Sequence, residues 1–300
     1  IPVVKEAMRK SVKVSKHNID AIAVTVGPGL IGSLLVGVET ARALAYAWEK
    51  PIIPVNHLVA HLYANFVGLN ANFQTPEFPA IGLVVSGGHT DLVFMEGYGK
   101  LRLLGTTRDD AAGECFDKGA RILGLSYPGG PAVARMATKF QITNSKLQIK
   151  LPRPLIQENT YDFSFSGLKT AVLRQAQDRI SKEELAFEIQ EAIVEVLVER
   201  VMRAVEEFRP RSVLLGGGVA ANSRLREELD HRCQMLDLRL FIPPVKLCTD
   251  NAVMIGAAAL RLSFDKLRIA QGKRGLTYSW KEVRADPGLE INERIGLIRS

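Results

Sequence analysis

The sequence predicts an α/β protein of two lobes, and three observations lead there. Strand-like and helix-like runs alternate through the first 76 residues, glycine-punctuated β-rich runs follow a proline-marked gap at TPEFP (75–79), and helices with short buried strands return in the second half. Such alternation implies parallel strands joined by crossover helices, and 300 residues suffice for about two domains. The boundaries expected are an N-terminal lobe over 1–76, a C-terminal lobe over 77–270 and a basic tail over 271–300, with a cleft between the lobes.

In order, IPVVKEAMRKSV carries a helical pattern, IDAIAVT reads as a buried strand, LLVGVETARALAYAWEK as a helix, PIIPVNH as a second strand and LVAHLYANFV as a second helix. AIGLVVSGGHTDLVFMEGYGKLRLLGTT reads as two or three strands in antiparallel hairpins. Ser181 and Glu184 form a capping box, and Leu185, Ile189, Ile193, Leu197, Val201, Val205 and Phe208 follow at helical spacing until Pro210. SVLL (212–215) is a short strand, GGGV a loop, the stretch after Asn222 a helix, and FIPPVKLCTDN leads into the small-residue helix NAVMIGAAALRL.

Composition narrows the function classes. Thirty-nine basic and 32 acidic residues give a net charge of +7, which permits but does not require a polyanionic partner such as RNA. Three scattered cysteines support neither a disulfide framework nor a CxxC zinc site, and suit a reducing cytoplasm. AIAVTVGPGLIGSLLVGV lacks charge, but Gly27, Pro28 and Gly29 divide it into strand, turn and helix, so no membrane span is expected. The chain starts at Ile1 within a helical pattern, and a segment upstream is expected to be missing.

Several motifs could carry chemistry. His57 and His61 stand at i and i+4 at a helix start, a spacing that lets two imidazoles reach one metal ion or simply places two polar groups there. Asp250 of CTDN is the best third ligand, or else a helix N-cap. The Gly pair of SGGH (86–89) can turn backbone N–H groups toward an anion, or be a plain hairpin turn. LLGGGVAAN (214–222) brings a strand through three glycines into a helix, suited to a phosphate or ribose, or to close helix–sheet packing. In DDAAGECFDK, Asp110, Glu114 and Asp117 share a helix face, which is either solvated or turned toward ribose hydroxyls or a cation beside Gly129 and Gly130. Ser164, Ser166 and Lys169 of DFSFSGLKT lack the GxSxG elbow and cap a helix or line the cleft rather than supply a nucleophile.

Taken in order, GPGLIGSLLVG, NHLVAHL, VVSGGHTDL, DDAAGECFDK, YPGGP, DFSFSGLKTAV, GGGVAAN and CTDN resemble the motifs of the tRNA N6-adenosine threonylcarbamoyltransferase family, once labelled glycoprotease, from about residue 3 to about residue 262. The resemblance implies the two-lobed actin/sugar-kinase/heat-shock-protein ATPase-like fold and transfer of a threonylcarbamoyl group from threonylcarbamoyl-AMP to the N6 amine of the adenosine adjacent to the anticodon of ANN-decoding tRNAs. It implies His57, His61 and Asp250 as ligands of one divalent ion per subunit, Fe(II) before Zn(II), and Val84, Val85, Ser86, Gly87, Gly88, Asp117, Gly130 and Asn222 as contacts of the adenylate. It further implies tRNA, a paralogous partner subunit and a small ATPase as partners, and a cytoplasmic location. No general base is named; His89 is the nearest candidate. A non-catalytic nucleotide-binding partner subunit of the same modification complex is the alternative, against which the retained metal ligands and Gly turns argue.

The sequence departs from the family pattern at Ala60, where Gly is usual, and at Cys115, read as a small buried side chain. The family's N-terminal strand pair, with its ETSCDE stretch, and the following ASRxH segment have no counterpart, so the chain is expected to be truncated, with one sheet edge exposed. Lys266, Arg268, Lys273 and Arg274 of the basic tail are candidate tRNA contacts.

Overall fold

The computed structural model describes residues 2–10, 15, 18–68, 74–143, 147–177, 180–267 and 278–292. Its chain divides into two compact units, one made of residues 1–64 and 251–300, the other of 65–250. These divisions differ from the expected 76/77 and 270/271 because the chain returns to its first unit after Asp250.

In the first unit, α1 (Pro2–Lys10) precedes β1 (Ile22–Gly27), α2 (Ile31–Trp48), β2 (Ile52–Asn56) and α3 (His57–Tyr63). The two strands are parallel, with Ile22 beside Ile52 and Thr25 beside Val55, and α2 is their crossover. The GPG turn ends β1 as expected, since Pro28 has no N–H to continue the ladder. Helix α9 (Ala252–Leu267) packs against α3, β1 and β2. Beyond it, Tyr278 exchanges backbone hydrogen bonds with Ile52 at 2.8 and 3.0 Å. Val283 and Leu289 join Val24, Val26, Val38, Ala41, Ala45 and Ile52 in one apolar core. Part of the expected tail (271–300) is thus a structural piece of this unit. Arg268, Lys273 and Arg274 lie outside the described residues, as does the side chain of Lys266.

The second unit is built on a five-stranded sheet in the order β5–β4–β3–β6–β7, from β3 (Ala80–Val85), β4 (Thr90–Gly97), β5 (Lys100–Thr106), β6 (Ser212–Gly216) and β7 (Arg239–Phe241). The glycine-punctuated run forms the antiparallel β3–β4–β5 meander, and β6 and β7 add parallel strands. Helices α4 (Ala112–Ile122), α5 (Gly129–Thr143), α6 (Ser166–Gln175), α7 (Lys182–Phe208) and α8 (Ser223–Met235) complete it. The expected stripe on α7 is buried from Leu185 to Val205, where it forms the centre of the apolar core with Ile81, Leu83, Phe116 and Leu215. The Ser181 hydroxyl caps α7 by accepting the Glu184 N–H at 3.1 Å. Glu184 turns its carboxylate to the Gln148 N–H at 2.5 Å.

The buried stripe also contains Arg200, 1% exposed, whose guanidinium donates to the carbonyls of Leu155, Glu158 and Asp162. An apolar helix face thereby carries a cation that holds a loop by its backbone. Burial is the main reason its pKa falls below the ordinary guanidinium value, with Arg203 adding to the effect.

Together the two units are the two-lobed α/β fold of actin/sugar-kinase/heat-shock-protein ATPase type. Among the described residues no helix is long and apolar enough to cross a membrane. The three cysteines are free and buried.

Candidate functional site

The histidine pair is set by the junction of β2 and α3. Asn56 ends the strand with extended backbone (φ −73°, ψ 127°), and its side-chain oxygen accepts the N–H groups of Leu58 at 2.9 Å and Val59 at 3.2 Å. A helix starts with donors that lack intrahelical partners, and Asn at the cap satisfies two of them here. Four residues on, His61 follows His57 on the same face. Their rings stand edge to face, 4.8 Å between centroids. His61 is buried and His57 half-buried, and Ala60 between them is fully buried.

Asp250 completes the group. One ligand atom from each of His57, His61 and Asp250 lies within 4.8 Å of the others. The alternative helix-cap role belongs to its neighbour: the Asn251 side chain accepts the Met254 N–H at 2.9 Å at the head of α9, and α9 packs on α3. Donor atoms about 2.1 Å from a common ion lie at most about 4.2 Å apart, so the three side chains must draw together to close on a metal. Two neutral imidazoles and a carboxylate are a donor set suited to a divalent transition metal. The structure therefore contains a possible metal site at these three residues.

The other expected contacts lie in the second unit, five of them in sequence at the end of β3 and the turn after it. Val84 and Val85 end β3 with no exposed surface, side chain or backbone, so neither lines the open turn. In the turn that follows, the Ser86 N–H donates to the His89 carbonyl at 2.9 Å and the His89 N–H to the Ser86 hydroxyl at 3.1 Å. Gly87 and Gly88 are exposed, and a Cβ on either would find nothing within 4 Å. The turn is thus open to solvent.

Two further glycines press on this region from behind. A Cβ on Gly217, whose φ is +94°, would come 2.3 Å from the Val85 carbonyl oxygen, and one on Gly113 would come 2.4 Å from that of Ser86. The triple glycine of 216–218 and the first turn of α4 are thereby packed against the β3 end. Close packing, the plainer of the two readings of GGGV, holds for Gly217. Gly218 has open space. Asn222 caps α8, accepting the Leu225 N–H at 3.0 Å while its amide donates to Gln190 at 3.1 Å.

The acidic stripe divides by task. Asp110 and Glu114 hold Lys118 at 2.6 and 2.8 Å. These two bonds are also what raise the Lys118 pKa. Asp117 accepts the Gly129 N–H at 2.6 Å at the head of α5. It lines a cavity of about 530 Å³ with Glu114, Lys118, Arg121, Tyr127 and Gly129. Gly130 is half-buried, with open space where a Cβ would point.

Asp109 has another task, one that reading the sequence did not assign. Its carboxylate accepts from the hydroxyls of Ser164 at 2.5 Å and Ser166 at 2.8 Å, and from the N–H groups of Phe165 at 2.8 Å and Ser166 at 3.2 Å. The DFSFS serines stand at the start of α6 but do not cap it: Phe165 is the N-cap residue, with no cap bond from its own side chain, and the serine hydroxyls donate to Asp109, whose carboxylate takes the first N–H groups instead. Burial works to raise the Asp109 pKa, but these four hydrogen bonds outweigh it and hold the carboxyl below its ordinary value. Burial pushes the Cys115 thiol up to about 12, which leaves it a neutral packing group as expected.

Sequence reasoning also passed over Asn56, Asn251 and Arg200. The two asparagines had a visible signal, an Asn directly before a helical run. Arg200 had a weaker one, a charge within an apolar stripe.

Comparison with known proteins agrees with the motifs. The family model described as tRNA N6-adenosine threonylcarbamoyltransferase matches residues 1–257. The protein of that name from Geobacillus thermodenitrificans is 47% identical over 296 residues, covering 96% of this chain and 80% of its own length. Its namesake from Moorella thermoacetica is 49% identical over 265 residues, covering 86% and 75%. Among solved structures, T. kodakarensis HypF superposes with a TM-score of 0.64 at 17% identity, over 85% of this chain and 42% of its own. Full-length HypF in a phosphate- and nucleotide-bound form gives 0.62 at 12%, over 85% and 48%. Both structural likenesses speak for the fold alone. From the matched length and the identity, the chain belongs to the tRNA N6-adenosine threonylcarbamoyltransferase family.

Proposed function

We propose that this protein transfers the threonylcarbamoyl group of threonylcarbamoyl-AMP to the N6 amine of the adenosine adjacent to the anticodon in ANN-decoding tRNAs. The observation that carries the reading is the convergence of His57, His61 and Asp250 in a chain of this family. A scaffold subunit has no need of that convergence.

His57 and His61 on α3 and Asp250 before α9 would hold one divalent ion, Fe(II) before Zn(II). Bound there, the ion supplies Lewis acidity to a carbamoyl carbonyl or a departing phosphate. The adenylate would meet the second unit at the open turn Ser86–Gly88 and at Gly130 and Asn222. One oxygen of Asp117 is taken by the Gly129 N–H, and the other suits a ribose hydroxyl. The cavity beside Asp117 is of a size usual for small-ligand sites. Partnership with tRNA, a paralogous subunit and a small ATPase is proposed on the family resemblance, and a cytoplasmic location on the tRNA substrate and the free thiols.

The test is nucleoside mass spectrometry of unmodified tRNA incubated with threonylcarbamoyl-AMP, this protein and the accessory proteins. Threonylcarbamoyladenosine from the wild-type chain and none from His57→Ala is the expected result. Metal and nucleotide binding with no product would replace the transferase reading by that of a non-catalytic partner subunit.

A further inference from the structure

The cap of the metal helix is itself held from the far end of the sequence. Asn56 is 4% exposed and uses both ends of its amide. Its oxygen caps α3 at Leu58 and Val59, and its nitrogen donates to the Glu290 carbonyl at 2.8 Å. The segment carrying Glu290 is tied to the same place by two backbone bonds, from the Asp286 N–H to the Val26 carbonyl at 2.7 Å and from the Gly29 N–H to the Pro287 carbonyl at 3.3 Å. Gly27, paired with Asn56 in the sheet, makes room for it: a Cβ there would stand 1.9 Å from the Asp286 carbonyl oxygen. Leu289 anchors the segment in the core of the first unit. The 286–290 segment itself lies beyond residue 257, where the family match ends.

We infer that Asn56 is a positioning residue for the metal site, through which the 286–290 segment sets the orientation of His57 and His61. The inference rests on the metal reading proposed above. An N-cap fixes where a helix starts and therefore the direction in which its first-turn side chains leave it. His57 is the first residue of α3, so a shift of Asn56 moves that imidazole directly and His61 one turn later. Groups one layer outside the ligands commonly change metal affinity by about 10- to 100-fold.

Three variants separate positioning from mere stability. Asn56→Ser keeps a good capping oxygen but is too short to reach Glu290. Leu289→Ala loosens the segment without touching Asn56. Val38→Ala removes a side chain from the same core but on α2 rather than on the segment, and serves as the control for general weakening. The readouts are the Co(II) dissociation constant, followed by cobalt absorption well below each variant's Tm, and hydrogen exchange of the Leu58 and Val59 amides in metal-free protein.

Asn56→Ser is expected to weaken Co(II) about tenfold and Leu289→Ala several-fold, with Val38→Ala unchanged, and both segment variants are expected to speed exchange at Leu58 and Val59. Wild-type Co(II) affinity in Asn56→Ser and Leu289→Ala, or equal weakening by Val38→Ala, overturns the inference. If Asn56→Ser does not fold, Leu289→Ala against Val38→Ala decides. A wild-type chain that binds no Co(II) refutes the metal reading, and amide exchange then judges the tie on its own: unchanged exchange in Leu289→Ala overturns it.

Discussion

The Asp117 carboxylate accepts the Gly129 N–H at 2.6 Å, and a Cβ on Gly129 would stand 2.5 Å from the Asp117 Cα. The two residues are in contact because one of them has no side chain. Gly129→Ala is therefore expected to cost on the order of 2–3 kcal/mol in urea unfolding, as overpacked cores do. The neighbouring Gly130→Ala, with open space around its Cβ, should leave the midpoint unchanged. If the adenylate lies there, that second variant weakens its binding without loss of stability, which calorimetric titration would measure.

Asp109 provides a pH test. Its folded pKa is lowered, so the stability it contributes is present above the ordinary carboxyl value of 3.8 and is lost as pH falls through the lower, folded one. Asp109→Asn should be less stable than wild type by about 1 kcal/mol at neutral pH, the usual worth of a helix cap. The difference should shrink as the pH is taken below about 4. Urea midpoints of the pair at several pH values check this, and a gap that widens in acid would contradict it.

Arg200 gives a test of stability. Replacing it with Met removes the donor to the carbonyls of Leu155, Glu158 and Asp162 at once. The Leu155 carbonyl still accepts the Glu158 N–H, and the Glu158 carbonyl still accepts the Thr160 N–H and Arg203. The main cost therefore falls on the Asp162 carbonyl, and a loss of roughly 1–3 kcal/mol is expected by chemical denaturation. Lys in its place restores a charge but not a planar fork, and should recover little of the loss.

The proposed metal site at His57, His61 and Asp250 makes a prediction independent of turnover. A divalent ion at a hundred times its Kd should stabilise the folded protein by about 2.7 kcal/mol, and a chelator should reverse the shift in Tm. In His61→Ala both the shift and its reversal should vanish.

How much of this could be read from residues alone depends on how local the cause was. The β3–β4–β5 meander and α7 follow from short-range alternation and from the stripe Leu185–Val205, and both lie where the pattern put them. The histidine pair was legible because i and i+4 is a property of one helix. Asp250 required the long return of the chain, and only its place in CTDN suggested it. The lobe boundaries went astray for the same reason: nothing near Asn251 announces that α9 packs on α3 rather than beside α8. Asp109 and the DFSFS serines were each noticed, but their union links segments more than fifty residues apart, which no local pattern records.

The division of the chain at residues 64 and 250 also has a consequence in time. The second unit is one continuous stretch and can close on itself as it leaves the ribosome, whereas the first cannot be completed until α9 and the 278–291 segment have been made. At ordinary elongation rates that delay is on the order of ten seconds or more. Until residue 250 has been made the two imidazoles of α3 exist without Asp250, and until residue 290 without the segment that bonds to the cap of their helix. A nascent chain therefore passes its early life unable to close a metal site, and gains that capacity only after almost all of the described residues have been synthesised.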